Sequence, residues 1–204
     1  MVDASSRFPK PTQEQRWLKA YYFSRAAFSI VWVAAALTIG KSVPAVADVL
    51  LIAYPAWDAV ANTADVQSNG GVKRNRTQVL NAAVSALTTL AVVVALGFSM
   101  NAVLSVYGVW AALSGLLQLA TGIRRWKAYG AQWAMILSGA QSALAGTFFL
   151  EQASFVGSLS ISNIAPYAAF GAFYFLVSAL WLALLDARRR RAQPVEDLVG
   201  RSVL

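Results

Sequence analysis

The chain has 204 residues, of which 13% are charged and 58% hydrophobic, and this balance excludes an ordinary soluble domain, in which about 25% of residues are charged. It contains no cysteine and no histidine, which excludes disulfide bonds, thiolate chemistry, Cys/His zinc sites and a histidine general base. The formal charge of +8 comes from basic residues at the ends of apolar runs, a placement typical of multi-pass membrane proteins, so we expect no nucleic-acid partner.

Six apolar runs along the chain are each long enough to cross a bilayer as a helix. We therefore predict an all-α integral membrane domain over residues 21–185. A polar cytoplasmic arm at residues 1–20 precedes it, and a basic cytoplasmic tail at residues 186–204 follows it. The predicted spans are 21–40, 44–62, 79–98, 102–123, 131–150 and 164–185.

The connections between the spans alternate between basic segments and short turns with few charges. Because basic segments stay in the cytoplasm, this alternation places both termini there and groups the spans as antiparallel hairpins at 21–62, 79–123 and 131–185. Basic residues at the cytoplasmic ends are expected to set this topology and to contact anionic lipid headgroups. They are Arg124, Arg125, Lys127, Arg188, Arg189, Arg190 and Arg191.

The three hairpins carry similar aromatic motifs. Tyr54-Pro-Ala-Trp57 matches Tyr107-Gly-Val-Trp110, and Tyr167-Ala-Ala-Phe170 is a weaker third copy. Because each hairpin has an even number of spans, the copies would share one orientation around an axis along the membrane normal. The alternative is that apolar helices resemble one another through composition alone.

The six spans and the central sequence resemble a known family of membrane proteins. The stretches that carry the resemblance are YGVWAALSGLLQLATGIRRW and, after a short gap, GAQWAMILSGAQSALAG. Together they resemble the short-repeat family called domain of unknown function 308, which includes the HdeD-type acid-resistance proteins. The resemblance implies a bacterial inner-membrane protein with a role in stress or acid tolerance, and it supplies no substrate and no active-site residues.

Two charged residues, Arg25 and Asp58, fall inside predicted spans. If the first hairpin turns between Lys41 and Ser42, both lie 16 to 17 positions from the turn and hence at the same depth in an antiparallel pair. One interpretation is a structural salt bridge that spares each group an unpaired charge in lipid. The other is a gated ion or proton contact, and the two are compatible.

Polar residues also form stripes along the other helices. Asn62, Asn81, Gln118 and Gln141 are candidates, with Arg25 and Asp58, for a polar interior that opens toward the cytoplasm. The alternative is that these stripes serve helix packing and interhelical hydrogen bonding. Small residues at helical spacing favour close packing, either within the chain or in a homo-oligomer; they are Ser138, Gly139, Ser142 and Gly146.

No motif of an enzyme is evident. The chain lacks a phosphate-binding glycine loop in register with lysine and serine, a G-x-S-x-G elbow and an H-E-x-x-H pair. We therefore expect a non-catalytic protein without cofactor or metal, in a structural or lipid-associated role. The alternative is permeation of a small solute, an ion or protons, centred on Asp58, and an enzyme acting on lipid is a third, weaker hypothesis.

Overall fold

The computed structural model describes residues 13–126, 132–155 and 157–201, and within these ranges every regular element is a helix. Six long helices and one short helix, α3, follow one another along the chain. A π-helical turn at Ala36–Gly40 extends α1, and a 3₁₀ turn at Ile161–Asn163 precedes α7. The helices are α1 (Gln13–Ala35), α2 (Pro44–Ser68), α3 (Gly71–Arg74), α4 (Arg76–Leu96), α5 (Met100–Arg125), α6 (Gln132–Ser154) and α7 (Ala165–Arg201).

Five segments of the described chain are long and apolar enough to cross a membrane, and they indicate a multi-pass membrane protein. They are Arg16–Gly40, Pro44–Ser68, Arg76–Leu96, Met100–Arg124 and Ile161–Arg188. The remaining predicted span, residues 131–150, corresponds to α6, which is helical over 23 residues but is not among these five.

Local sequence explains where several helices begin. Pro44 occupies the first turn of α2, where its missing N–H needs no partner. The Ser99 hydroxyl caps α5 by accepting from the Ala102 N–H at 3.2 Å. Ser160 and Asn163 form a capping box at the start of the 3₁₀ turn. At the other end of the chain, α7 continues to Arg201, so the predicted tail begins as an extension of the last helix.

The six long helices form a ring in chain order, which α1 and α7 close. The most extensive contacts are those of α5 with α6, α1 with α7, and α2 with α4. Each of these pairs joins the second helix of one predicted hairpin to the first helix of another. Within the hairpins, the α4 and α5 backbones lie close together, whereas the α1 and α2 backbones lie farther apart and are joined by large side chains such as the stacked Phe28 and Trp57 rings.

Glycines permit the closest of these contacts, between α5 and α6. A Cβ atom on Gly146 would lie 2.6 Å from the Gly108 carbonyl oxygen, and one on Gly139 would lie 2.8 Å from that of Gly115. Neither distance leaves room for a side chain. These small residues let two helix backbones touch, as in other membrane proteins.

A repeat with a period of 56 to 57 residues underlies the ring. Three serines, at 29, 85 and 142, each contact an aromatic side chain 25 residues later: Tyr54, Trp110 and Tyr167. This register corrects the motif alignment above, because the position equivalent to Tyr54 and Tyr167 is Trp110 and not Tyr107. Tyr and Trp exchange at this position because each offers a large ring and one hydrogen-bonding group.

The interior of the ring divides into apolar and polar parts. A large apolar cluster fills the half that contains the 40–44, 97–99 and 155–161 connections, with Trp32, Leu51, Tyr107, Phe149 and Ile164 among its members. A smaller cluster lies between α1 and α7 near the opposite end. Buried polar side chains lie between the two clusters, where the candidate site is found.

Candidate functional site

The centre of the polar region is an ion pair between Arg25 of α1 and Asp58 of α2. Both side chains are largely buried, with 13% and 6% of their surfaces exposed. The guanidinium also donates to the Tyr21 hydroxyl at 3.0 Å and lies 4.5 Å from the centre of the Phe175 ring. Arg25 is therefore held by a carboxylate, a phenol and an aromatic face, which together compensate for its removal from water.

The second oxygen of Asp58 accepts further hydrogen bonds from α2 and α4. The Asn62 amide donates to it at 2.9 Å and the Ser85 hydroxyl at 2.7 Å, with the Asn81 amide at 3.5 Å. The Trp110 indole of α5 donates in turn to the Ser85 oxygen at 2.9 Å. The carboxylate is thus fixed by groups from three helices, as expected for a charge placed in a low-dielectric interior.

Pro55 leaves one backbone acceptor for which the structure supplies a replacement donor. Its ring removes the N–H that would bond to the carbonyl of Leu51, four residues earlier. The Tyr107 hydroxyl of α5 donates to that carbonyl at 2.6 Å. At the preceding residue, the Trp32 indole donates to the Leu50 carbonyl at 2.7 Å. Aromatic side chains of α1 and α5 therefore satisfy carbonyls of the proline-containing helix.

An inner cavity of about 30 Å³ lies beside the ion pair, on the axis of the repeat. Arg25 and Asp58 line it together with the aromatic side chains Tyr54, Trp110 and Tyr167. This volume accommodates one or two water molecules. Its remaining polar lining is contributed by Asn81, Ser114, Gln118, Ser138, Gln141 and Ser142.

An outer cavity of about 20 Å³ adjoins the inner one and leads toward the end of the bundle that carries the basic connections. The two cavities share Arg25, Asn81, Gln118 and Phe175 as lining residues. The outer cavity is otherwise lined mainly by polar groups: Tyr21, Asn62, Asp65, Thr77, Gln78 and Thr121. Its far end lies near Arg124, whose guanidinium donates to Thr77 at 3.1 Å and Gln78 at 3.2 Å.

The opposite end of the axis is filled with apolar side chains. Equivalent positions of the repeat are occupied by Leu51 on α2, Tyr107 on α5 and Ile164 directly before α7, and each is at most 1% exposed. Asp58 lies seven residues from Leu51, about 10 Å along α2. None of these three residues lines either cavity, so the polar region ends at this apolar layer.

All six predicted polar candidates line at least one of the two cavities. Arg25, Asp58, Asn81, Gln118 and Gln141 line the inner cavity, and Asn62 lines the outer one. Their role as a functional site stays a prediction, since these positions describe where the side chains lie and not what they do.

The four predicted packing residues lie at helix interfaces. Gly139 and Gly146 face α5, as described above, and the Ser142 hydroxyl contacts the Ala111 carbonyl at 3.0 Å and the Tyr167 hydroxyl at 2.8 Å. Ser138 is buried and lines the inner cavity. Because these faces are used within the chain, they are not free to pack against a second copy.

Only part of the predicted basic set can be placed. Arg124 and Arg188 are exposed at the end of the bundle where the outer cavity lies. Lys127 and the side chains of Arg125, Arg189, Arg190 and Arg191 lie outside what the structure describes.

Sequence reasoning missed three residues of this network. Ser85, Ser114 and Trp110 were not among the predicted site residues, although Ser85 bonds directly to the Asp58 carboxylate. The signal that could have identified Ser85 and Trp110 is the 25-residue spacing from serine to aromatic residue, which recurs in all three hairpins.

The chemistry available at this site is that of hydration, hydrogen bonding and proton or ion contact. The charges of Arg25 and Asp58 cancel each other, so this pair has no need of a counterion. Among the described residues, no three His, Cys, Asp or Glu side chains lie close enough together to hold a metal ion. The cavities are also too small for an organic substrate of ordinary size.

Comparison with known protein families shows a similarity over part of the chain. The profile of the short repeat of unknown function (DUF308) matches residues 80–151, which take in most of α4, all of α5 and most of α6. The match confirms the resemblance to this family over that part of the chain. Searches of curated proteins and of solved structures each returned no significant match.

Proposed function

We propose that this chain, which is similar to the DUF308 short repeat over residues 80–151, is a non-catalytic protein of the bacterial inner membrane with a structural or lipid-associated role. In this proposal α6 is a sixth span, so the helices cross the membrane as three antiparallel hairpins and both termini lie in the cytoplasm. A role in stress or acid tolerance, as in HdeD-type proteins, is the corresponding physiological proposal.

The observation that carries this proposal is the way in which the polar interior is satisfied. Asp58 bonds to Arg25, Asn62 and Ser85, and the space beside it admits only one or two water molecules. A charge network of this kind ties α1, α2 and α4 together. Such a tie is expected in a scaffold, whereas a site that transports a solute larger than water needs more room than this.

The basic end of the bundle supports an association with anionic lipid. Arg124 and Arg188 are exposed there, and Arg188 follows Asp186, which forms a partly buried ion pair with Lys19, by two residues. Arginines near a membrane surface are attracted to anionic headgroups by about 1 kcal/mol each. Thermal unfolding in detergent should therefore shift upward on addition of phosphatidylglycerol and stay unchanged with phosphatidylcholine, and Arg124→Gln should reduce the shift.

A second candidate function, permeation of protons or a small ion, is favoured by the asymmetry of the interior. Polar lining continues from Asp58 to the basic end, whereas apolar side chains close the other end. Transport would require that closure to open in a second conformation.

A flux measurement separates the two candidates. Purified protein in liposomes that contain a pH-sensitive dye should dissipate an imposed proton gradient no faster than protein-free liposomes. A faster flux that is abolished by Asp58→Ala would contradict the scaffold proposal and support permeation. A faster flux that Asp58→Ala leaves unchanged would remove Asp58 from any permeation mechanism.

A further inference from the structure

The inner and outer cavities contain polar atoms for which the described protein provides no partner. The side-chain oxygen Oδ1 of Asn81 and the Ser114 hydroxyl form no hydrogen bond with any described residue, and both side chains are more than nine-tenths buried. Each lines the inner cavity, and Asn81 also lines the outer one. Buried polar atoms are almost always satisfied, so these two atoms indicate an occupant.

The occupant is identified by size and charge. A cavity of about 30 Å³ excludes any molecule much larger than water, and a neutral Arg25–Asp58 pair provides no net charge to retain an ion. The free groups beside the pair are one acceptor, Asn81 Oδ1, and one hydroxyl, Ser114 Oγ, which can both donate and accept. Water can bond to both at once.

The Nε2 atom of Gln78, which lines the outer cavity, extends the same argument toward the basic end. It too lacks a hydrogen-bond partner among the described residues, and Gln78 is 3% exposed. Unsatisfied polar atoms therefore occur in both cavities, which share four lining residues.

We propose that the two cavities form one water-filled half-channel, which connects the Arg25–Asp58 pair to the end of the bundle where Arg124 lies and stops at the apolar layer of Leu51, Tyr107 and Ile164. Its occupants are water molecules, and species larger than a water-sized ion are excluded. This inference rests on the proposed multi-pass topology and does not depend on the choice between scaffold and permeation.

Silver ions test the half-channel, because Ag⁺ is close to water in size and reacts with thiols in narrow aqueous spaces. The chain contains no cysteine, so a single introduced thiol reports on one position. Ser114→Cys places a thiol in the inner cavity, and Val103→Cys is its matched control. Val103 lies on the same helix, is fully buried and belongs to the apolar cluster.

Membrane vesicles of both orientations are exposed to silver nitrate, and the remaining thiol is counted by maleimide labelling after denaturation. Trp126→Cys and Ser158→Cys, exposed at opposite ends of the bundle, report which end faces the solution. When the Trp126→Cys end is exposed, Ser114→Cys should react at least about tenfold faster than Val103→Cys, because an apolar cluster excludes a charged ion. In the other orientation, both buried thiols should react slowly.

Equal rates for Ser114→Cys and Val103→Cys, or faster reaction of Ser114→Cys in the opposite orientation, would overturn the half-channel. Gly171→Cys, which also lines the inner cavity, serves the same test if Ser114→Cys fails to fold. The bulkier trimethylammonium-ethyl methanethiosulfonate should leave Ser114→Cys unmodified, and rapid modification would overturn the size limit. Failure of the proposed topology is recognised separately, because Trp126→Cys and Ser158→Cys would then react from the same side.

Discussion

The hydrogen bond from Tyr107 to the Leu51 carbonyl allows a quantitative test of how the proline-containing helix is stabilised. Tyr107→Phe removes the donor, which lies 2.6 Å from the acceptor oxygen, and leaves a buried carbonyl without its replacement partner. An unsatisfied buried acceptor costs about 1–3 kcal/mol in proteins generally. Interhelical hydrogen bonds in membranes average about 0.6 and reach about 1.7 kcal/mol. We expect Tyr107→Phe to lower the free energy of unfolding by about 1.5 kcal/mol, near the upper value for membrane proteins. The reason is that residue 55 is a proline and has no N–H to replace the lost donor.

The same reasoning predicts that the loss depends on Pro55. Pro55→Ala restores the N–H that can bond to Leu51, so Tyr107→Phe should cost only about 0.5 kcal/mol in that background. The coupling between the two substitutions is then about 1 kcal/mol, or roughly fivefold in the unfolding equilibrium. Reversible unfolding in mixed micelles of increasing SDS content, followed by tryptophan fluorescence, measures all four variants.

The control for this cycle is Tyr167→Phe. It removes a hydroxyl whose hydrogen-bond partner is Ser142, at 2.8 Å, whereas the Leu51 carbonyl accepts from Tyr107. Its effect should add to that of Pro55→Ala within about 0.5 kcal/mol. If Tyr107→Phe is also additive with Pro55→Ala, the proposed replacement of the missing backbone donor is refuted.

Three further predictions follow from the buried charges, the close helix contact and the proposed topology. Asp58→Asn should destabilise the protein by about 3 kcal/mol, because it leaves Arg25 unpaired. The double variant with Arg25→Gln should lose less stability than the two single variants together. Additive losses of stability in thermal unfolding would count against the pairing. Gly146→Ala should lower the free energy of unfolding by about 1–3 kcal/mol, because the added Cβ would collide with α5. The control is Gly157→Ala, whose Cβ would meet nothing within 4 Å. It should change stability by less than about 0.5 kcal/mol in the same assay. Ser158→Cys should be labelled by a membrane-impermeant maleimide in intact cells, and labelling only after lysis would reverse the proposed orientation.

The sequence predicted the parts of the fold that depend on depth in the membrane. Arg25 and Asp58 are equally distant from the first turn, and antiparallel helices preserve such equality, so their contact followed from counting residues. The existence of six long helices followed equally directly from the length of the apolar runs. Both inferences need only the rise of a helix and the thickness of a bilayer.

Features that depend on the rotation of each helix about its axis and on side-chain volume could not be predicted from residue spacing. The register of the repeat was wrong because Tyr54 aligns in space with Trp110, and a search for matching tyrosines finds Tyr107 instead. The pairing of α1 with α7 joins segments far apart in the chain, and no local sequence pattern predicts it. Cavity size depends on how side chains from all six helices fill the space around the bundle axis, and the spacing of residues in the sequence does not determine this.

The repeat has a chemical consequence at the level of Asp58. The positions equivalent to Asp58 in the other two copies are Ser114 and Gly171, and all three line the inner cavity. If three identical hairpins assembled around this axis, they would bring three aspartates into a space of about 30 Å³, where like charges repel strongly. Tandem fusion within one polypeptide frees each copy to diverge, so a single acid can coexist with a hydroxyl and a hydrogen atom around the same centre.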